Sequence, residues 1–218
     1  MNQLLPVTKR QPQRSAGASG AVAIVSSAGG IPALISLLSA LPDKFPLPIF
    51  VAQHLGRGAS GLDRLLGWHC ALSVGWAVDG ARPREGHVYL VPPGMRLRIS
   101  AAGFHLSALA APSASWLSSG DHLINSVAAL YGPRSIAIVL SGAMPAGVKG
   151  LRAVKACGGF ALAQDRISSG AFEMPSAAID FAKAEIVMPP ARMASVLEII
   201  AQAWQDGPLG EPAEPLPG

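Results

Sequence analysis

Polar residues follow four short apolar segments of this 218-residue sequence. In a parallel sheet the carboxyl ends of the strands meet at one edge, so polar residues that end such strands lie close together. A serine hydroxyl there can attack a carbonyl carbon, and a histidine imidazole can take its proton. Ser27 and His54 are therefore a candidate nucleophile and general base. The four polar pairs are Ser26-Ser27, Gln53-His54, Ser141-Gly142 and Gln164-Asp165.

The turn that contains Ser27 ends in two glycines, Gly29 and Gly30, directly before an apolar stretch with helical spacing. Such a turn can expose a hydroxyl and aim N–H groups of the helix N-terminus at a developing oxyanion. A serine-capped glycine turn without a catalytic role has the same pattern, so both interpretations stay open. A dinucleotide-binding loop is disfavoured, because G-x-G-x-x-G is absent and no acidic residue follows the second apolar run at the usual offset.

Strands and helices alternate along most of the chain, as the spacing of apolar residues indicates. Such alternation predicts an α/β fold with a doubly wound, mostly parallel sheet. We expect strands at residues 21–25, 47–52, 135–140, 160–163 and 186–187. We expect helices at residues 31–41, 60–68, 121–131, 148–156, 175–184 and 191–204.

The segment 72–109 departs from this alternation. Its short apolar runs at 88–91, 96–99 and 104–108 are separated by glycine and proline. No helical spacing lies between these runs, and closely spaced strands without a crossover helix are typical of antiparallel pairing. We therefore expect the segment to form a small antiparallel excursion from the main sheet.

Composition indicates one packed domain between two polar ends. Residues 1–20 and 207–218 are rich in Gly, Pro and polar residues, which predicts a disordered leader and tail around a domain at 21–206. Half of all residues are apolar and 14% are charged, which excludes overall disorder. No apolar run nears the roughly 18 residues that a spanning helix needs, so we expect no integral membrane segment.

Charge and cysteine content exclude further classes of function. The net charge is +4, but three basic residues lie in the acid-free leader and leave the rest nearly neutral, so no nucleic-acid-binding face is predicted. Cys70 and Cys157 lack metal-ligand spacing, so neither a disulfide framework nor a metal site is implied, and no cofactor is expected. With no secretory signal at the N-terminus, we expect a cytoplasmic protein.

Several motifs in register resemble the catalytic domain of the chemotaxis-type protein-glutamate methylesterases, the CheB-like family. The family's G-A-S-T-G-G turn corresponds to V-S-S-A-G-G at 25–30, and its Q-H-M corresponds to Q-H-L at 53–55. These motifs keep the family's order along nearly the whole predicted domain. The other matches are D-G at 79–80, G-H-V-Y-L-V-P-P-G at 86–94, Asp121, V-L-S-G at 139–142, A-Q-D at 163–165, E-M-P at 173–175 and A-I at 178–179.

The resemblance implies a serine hydrolase of bacterial signal transduction. Its implied partners are methylated cytoplasmic helices of chemoreceptors or similar signalling proteins, from which it removes glutamate methyl groups; some members also deamidate glutamines. By resemblance, Ser27 is the nucleophile and His54 the general base, while backbone N–H groups near Ala28 and Ala143 form the oxyanion site. The side chains that would line the cleft are those of Gln164 and Met174.

Two departures from the family pattern bear on activity. The triad aspartate of the family lies in G-M-G-N-D-G, whereas residues 142–147 read G-A-M-P-A-G, which places Ala146 at the position of the acid. The family's Arg-Pro-Ser is replaced by Leu-Ser-Ser at 117–119. Loss of the orienting acid costs about 10⁴ in rate in a serine protease triad. Two hypotheses therefore stay open: an impaired methylesterase, and a catalytically silent relative that binds receptor or signalling partners.

Typical members of the family also carry an N-terminal receiver domain whose phosphorylation unblocks the cleft. Only the leader at 1–20 precedes the first predicted strand of this sequence. We therefore expect a stand-alone catalytic domain that is not regulated by a receiver domain in the same chain.

Overall fold

Seven parallel strands form the central sheet of the computed structural model, which describes residues 20–55, 61–109 and 115–206, except for the side chains of 115–117. The predicted disordered leader and tail lie outside the described residues, apart from Gly20, which is buried beside the Trp204 ring. The strands are β1 (Ala21–Ser26), β2 (Ile49–Gln53), β3 (Ser73–Trp76), β4 (His87–Leu90), β5 (Met95–Ser100), β6 (Gly103–Ala108), β7 (Ser135–Val139), β8 (Phe160–Gln164) and β9 (Ile186–Met188).

Helices cover both faces of this sheet. Helices α1, α2 and α6 pack on one face, whereas α3, α4, α5 and the β5–β6 hairpin pack on the other. Each face buries its own apolar cluster, so the sheet lies between two layers of helices. The helices are α1 (Gly30–Leu38), α2 (Leu62–His69), α3 (Ser115–Tyr131), α4 (Val148–Ala156), α5 (Glu173–Ala182) and α6 (Pro190–Gln205).

Strand β1 shows how the sequence produces this layering. All six of its residues are buried, as a strand covered on both faces requires. Side chains alternate across the sheet, so Val22 and Ile24 pack in the cluster beneath α1. Ala23 and Val25 pack in the opposite cluster, beneath α3.

The strand order β3-β4-β2-β1-β7-β8-β9 brings the carboxyl end of β1 between those of β2 and β7. The register pairs Ser26 with Gln53 of β2, and Val25 with Val139 of β7. The chain leaves β1 through α1 on one face and leaves β7 through α4 on the other face. The β1–β7 boundary is therefore a topological switch point, where open α/β sheets bind ligands.

The predicted fold class is confirmed: the main sheet is parallel and a small antiparallel sheet accompanies it. The prediction that all of 72–109 is antiparallel is wrong, because only β5 and β6 pair in that way. β4 adds to the main sheet in parallel beside β2, with Val88 opposite Ile49, and β3 extends it. Strands of four residues carry no local signal for direction, so long-range pairing with β2 decides it.

Several helices differ in extent from their predictions: α1 ends at Leu38 instead of 41 and α2 begins at Leu62 instead of 60. Helix α3 begins at Ser115, before the predicted 121–131; Gly120 fits against Val25, where an added Cβ would lie 2.7 Å from Cγ1 of that valine. Helix α5 is Glu173–Ala182 instead of 175–184, since Lys183 adopts a left-handed conformation (φ 54°) that ends it. No helix in the described ranges is long and apolar enough to cross a membrane.

Candidate active site

Ser27 follows the last residue of β1 and is held by its backbone. Its N–H donates to the carbonyl oxygen of Ser141 at the end of β7 (2.8 Å), and its own carbonyl accepts the N–H of Gly30 (2.8 Å). The residue is 9% exposed. Its Oγ lies 3.4 Å from Nδ1 of His54. The structure thus places the predicted nucleophile and base side by side at neighbouring strand ends.

The turn after Ser27 needs glycine at residue 29. Gly29 has φ 72°, in the left-handed region that disfavours other residues. An added Cβ would lie 2.6 Å from Oγ of Ser141 and 3.1 Å from Cα of Gly170. Both the conformation and the lack of space therefore exclude a side chain here.

His54 follows β2, and its backbone N–H donates to the carbonyl oxygen of Ser26 (2.9 Å). The residue is exposed at the protein surface. Partial burial of its imidazole lowers the pKa below the ordinary value of 6.5, because desolvation disfavours the charged form. The imidazole is therefore neutral at neutral pH and can accept a proton.

A cleft of about 450 Å³ opens beside this pair, between the start of α1 and the end of β2. Both Ser27 and His54 contribute to its wall. The lining residues are Ser27, Ala28, Gly29, Ile31, Pro32, Gln53, His54 and Leu55.

The two residues predicted to supply oxyanion N–H groups lie on loops at this same edge. Ala28 follows Ser27 directly, and Ala143 lies on the loop after β7; both are exposed. Within the described part of the chain, no hydrogen bond engages the N–H of either residue. Neither N–H is therefore used in a hydrogen bond within these residues.

Gln164 and Met174, the predicted cleft-lining side chains, are 1% and 0% exposed. Oε1 of Gln164 accepts the N–H of Ser141 (2.8 Å), and its Nε2 donates to the carbonyl of Ser168 (2.8 Å). Met174 lies against Gly142, where an added Cβ would lie 2.6 Å from Cε of the methionine. In this geometry both side chains support the loops from beneath instead of facing the cleft.

Ala146, at the family position of the triad acid, is 1% exposed and belongs to the apolar cluster beneath α3. Its methyl group supplies no carboxylate. The two nearest acids in the sequence bind elsewhere. Oδ1 of Asp121 accepts the N–H of Gly150 (2.8 Å), and Oδ1 of Asp165 accepts the N–H of Ser168 (2.9 Å).

Ser141 is a site residue whose role sequence reasoning missed. Its Oγ lies 2.7 Å from the carbonyl oxygen of Ala28 and accepts the N–H of Ala171 (2.8 Å). The residue thus connects the nucleophile turn to the loop before α5. The signal was present, because Ser141 lies just after a buried strand, but its partners are distant in the sequence and only the fold brings them together.

The described residues contain no cluster of three His, Cys, Asp or Glu side chains that could hold a metal ion. What the site offers instead is a hydroxyl beside a neutral imidazole, with two N–H groups on the adjoining loops that form no hydrogen bond with the described residues. A nucleophile, a base and hydrogen-bond donors are the groups that acyl transfer through a serine ester requires.

Comparison with known proteins agrees with this chemistry. The family model for the CheB methylesterase matches residues 22–197. Protein-glutamate methylesterase/protein-glutamine glutaminase 3 of Myxococcus xanthus (strain DK1622) is 38% identical over 187 residues, which are 85% of this chain and 51% of the relative. The corresponding Moorella thermoacetica enzyme is 39% identical over 173 residues, 77% of this chain and 41% of its own.

A solved structure extends the likeness to the fold. The crystal structure of the Thermotoga maritima CheB methylesterase catalytic domain matches with a TM-score of 0.78 and 29% identity, covering 85% of this chain and 99% of that domain. The chain spans about half the length of the curated relatives it matches. Because the family model covers most of the sequence and the fold agrees, the chain belongs to the CheB methylesterase family.

Proposed function

We propose that this chain is a cytoplasmic serine hydrolase that demethylates glutamate methyl esters, and deamidates glutamines, on chemoreceptor-like proteins. The observation that carries the proposal is the 3.4 Å approach of Oγ of Ser27 to Nδ1 of His54 at the mouth of the cleft. The relatives are protein-glutamate methylesterase/protein-glutamine glutaminases, and their names supply the proposed substrate class.

In the acylation step, Oγ of Ser27 attacks the ester carbonyl carbon while Nδ1 of His54 takes its proton. Nδ1 accepts in this arrangement, so the neutral imidazole carries its proton on Nε2. The 3.4 Å separation is long for a hydrogen bond, and such contacts shorten when substrate binds. The tetrahedral intermediate collapses when His54 returns the proton to the leaving oxygen, and methanol departs.

Deacylation repeats these steps with water. His54 takes a proton from a water molecule, the hydroxide attacks the acyl-enzyme, and the proton passes back to Oγ of Ser27. The product is the glutamate carboxylate. A glutamine substrate follows the same route with ammonia as the leaving group, so one site serves both reactions.

The N–H groups of Ala28 and Ala143 would stabilise the negative oxygen of each tetrahedral intermediate. Removing one such donor costs about 10² to 10³ in rate in the serine protease subtilisin. The turn that holds Ala28 is pinned by the Ser141 contacts and by Gly29. This support keeps the donor in place without reorganisation during the reaction.

A second candidate function is a silent relative that binds receptor or signalling partners without hydrolysis. Ala146 favours it, because the family position of the triad acid carries a methyl group buried among apolar side chains. Both candidates place the receptor helix at the same cleft. They differ in whether Ser27 is an activated nucleophile.

Labelling with a fluorophosphonate probe separates the two candidates. We expect rapid labelling of the wild-type protein that is lost in Ser27→Ala, together with methanol release from a methylated receptor fragment. Ser39→Ala is the matched control, because Ser39 is an exposed serine at the end of α1. Its labelling should equal that of the wild type.

Binding of the same receptor fragment is measured in parallel by calorimetry. Binding without labelling or methanol release would contradict the hydrolase and support the silent relative. Absence of labelling, methanol release and binding would contradict both proposals.

A further inference from the structure

The carboxamide of Gln53 contacts both residues of the proposed catalytic pair. Its Nε2 donates to the carbonyl oxygen of Ser27 (3.0 Å) and to that of His54 (2.8 Å). A single nitrogen thus bridges the backbone of the nucleophile and the backbone of the base, which are far apart in sequence.

The orientation of this carboxamide follows from its partners. Carbonyl oxygens only accept hydrogen bonds, so the amide nitrogen must face the carbonyls of Ser27 and His54. Oε1 then faces Ser26, whose Oγ donates to it at 2.6 Å. Ser26 and Gln53 are direct neighbours across the β1–β2 ladder, so their side chains share one face of the sheet.

Gly30 supplies independent support. It begins α1 and lies outside the left-handed region, so its backbone conformation does not call for glycine. An added Cβ would lie 2.5 Å from Oε1 of Gln53 and 2.7 Å from Cβ of Ser26. The absence of a side chain at residue 30 therefore provides the space that the carboxamide occupies.

We infer that Gln53 is a positioning residue, which holds Ser27 and His54 at reacting distance. Residue 30 must then be glycine, because a side chain there would occupy the space of the Gln53 carboxamide. The inference rests on the proposed function for its kinetic consequences. A loss of alignment of about 1 Å costs up to about 10²-fold in rate. Gln53 touches no reacting atom, so the loss for a small methyl ester should fall mainly on kcat, although Gln53 also lines the cleft.

The test compares Gln53→Glu with Gln53→Met at a temperature where circular dichroism shows both folded. Gln53→Glu keeps the acceptor for Ser26 but replaces the double donor with a carboxylate oxygen, and Gln53→Met removes the polar group without adding charge. We expect kcat to fall up to about 10²-fold in both. Gln202→Glu is the matched control, because Gln202 is an exposed glutamine on α6 and its variant should keep wild-type kcat.

Gly30→Ala is the second variant, should the Gln53 variants not fold. It displaces the carboxamide while retaining every hydrogen-bonding group, so kcat should fall in the same direction. A kcat within about twofold of wild type in the folded Gln53 variants, or in Gly30→Ala, would overturn the inference.

A crystal structure of Gln53→Met separates this inference from the proposed function. We expect the distance from Oγ of Ser27 to Nδ1 of His54 to exceed about 4 Å, beyond hydrogen-bond reach. An unchanged distance would overturn the positioning role even in an active enzyme. A wild-type protein that hydrolyses no ester would contradict the proposed function, whereas the distance would still decide the role of Gln53.

Discussion

The turn at residues 26–30 and the loop at residues 142–147 follow neighbouring strands, but different forces hold them. The turn is fixed by polar contacts: the N–H of Ser27 binds the carbonyl of Ser141, and Gly29 lies where Oγ of Ser141 leaves no room. The loop is held by backbone hydrogen bonds at its start, where the N–H of Gly142 donates to the carbonyl of Ala171 (3.0 Å). Its end is held by apolar packing, because Ala146 lies in the cluster beneath α3, and an added Cβ on Gly147 would lie 3.0 Å from Cγ2 of Val139.

This difference shows that a residue of an active-site loop can keep its packing role after its chemical role is lost. A buried methyl group at residue 146 satisfies the apolar surroundings by itself. A carboxylate there would need hydrogen-bonding partners to offset its desolvation. The polar turn around Ser27 has no such apolar substitute, because its groups donate to oxygen acceptors: Oγ of Ser26 to Oε1 of Gln53, and the N–H of Ser27 to the carbonyl of Ser141.

The largest expected effect comes from returning the acid to residue 146. Ala146→Asp, with Pro145→Asn to restore the family's local sequence, should raise methyl-ester hydrolysis by up to about 10⁴, because a carboxylate holds the imidazole and stabilises its cation. The measurement is methanol release from a methylated receptor fragment. In Ala146→Asp alone, Pro145 should reduce the gain, since its fixed φ and missing N–H constrain the loop.

Ser27→Ala in the same background is the control, and it must abolish any gain. A wild-type protein that already hydrolyses receptor esters at a rate unchanged by Ala146→Asp would contradict this account of the loop. A group other than residue 146 would then orient His54, and Asp165 would be the first residue to replace.

A smaller effect is expected from placing a methyl group at the glycine of each region. Gly29→Ala and Gly147→Ala should each lower the free energy of unfolding by about 1–3 kcal/mol, because both glycines have positive φ (72° and 82°). Only Gly29→Ala should also lower kcat, by up to about 10²-fold, since its Cβ would displace Ser141 and the turn. Urea titration and ester kinetics measure the two quantities. Equal kcat in the two variants would mean that the turn tolerates the displacement.

The smallest expected effect is a shift in the pH dependence of kcat/KM. His54 must be neutral to accept the proton of Ser27, so kcat/KM should rise with pH through the pKa of His54 and level off above it. Burial lowers that pKa, which places the acid limb below pH 6.5. Ala146→Asp should move the limb to higher pH, because a nearby carboxylate favours the imidazolium. A wild-type limb above pH 6.5 would contradict the desolvation of His54.

The fold class and the nearness of Ser27 to His54 could both be predicted from the sequence. Buried strands such as β1 appear in the sequence as unbroken apolar runs. Because the carboxyl ends of parallel strands lie at the same edge of the sheet, residues that follow them are close together. The direction of β4 could not be predicted, because four residues between loops pair equally well in either sense until β2 is present. The start of α3 at Ser115 was missed for a similar reason, since the contact of Gly120 with Val25 is a tertiary one.

The sequence by itself determined the alternation of strands and helices, the reactive residue types at the strand ends and the alanine at residue 146, because these depend on residue type and local spacing. Only the tertiary structure decided which groups support the reactive ones. Gln53 bridges the backbones of Ser27 and His54, Ser141 connects two loops, and Gln164 lies buried instead of facing the cleft. Hydrogen bonds of this kind join residues that are distant along the chain, so their geometry exists only after the strands have paired.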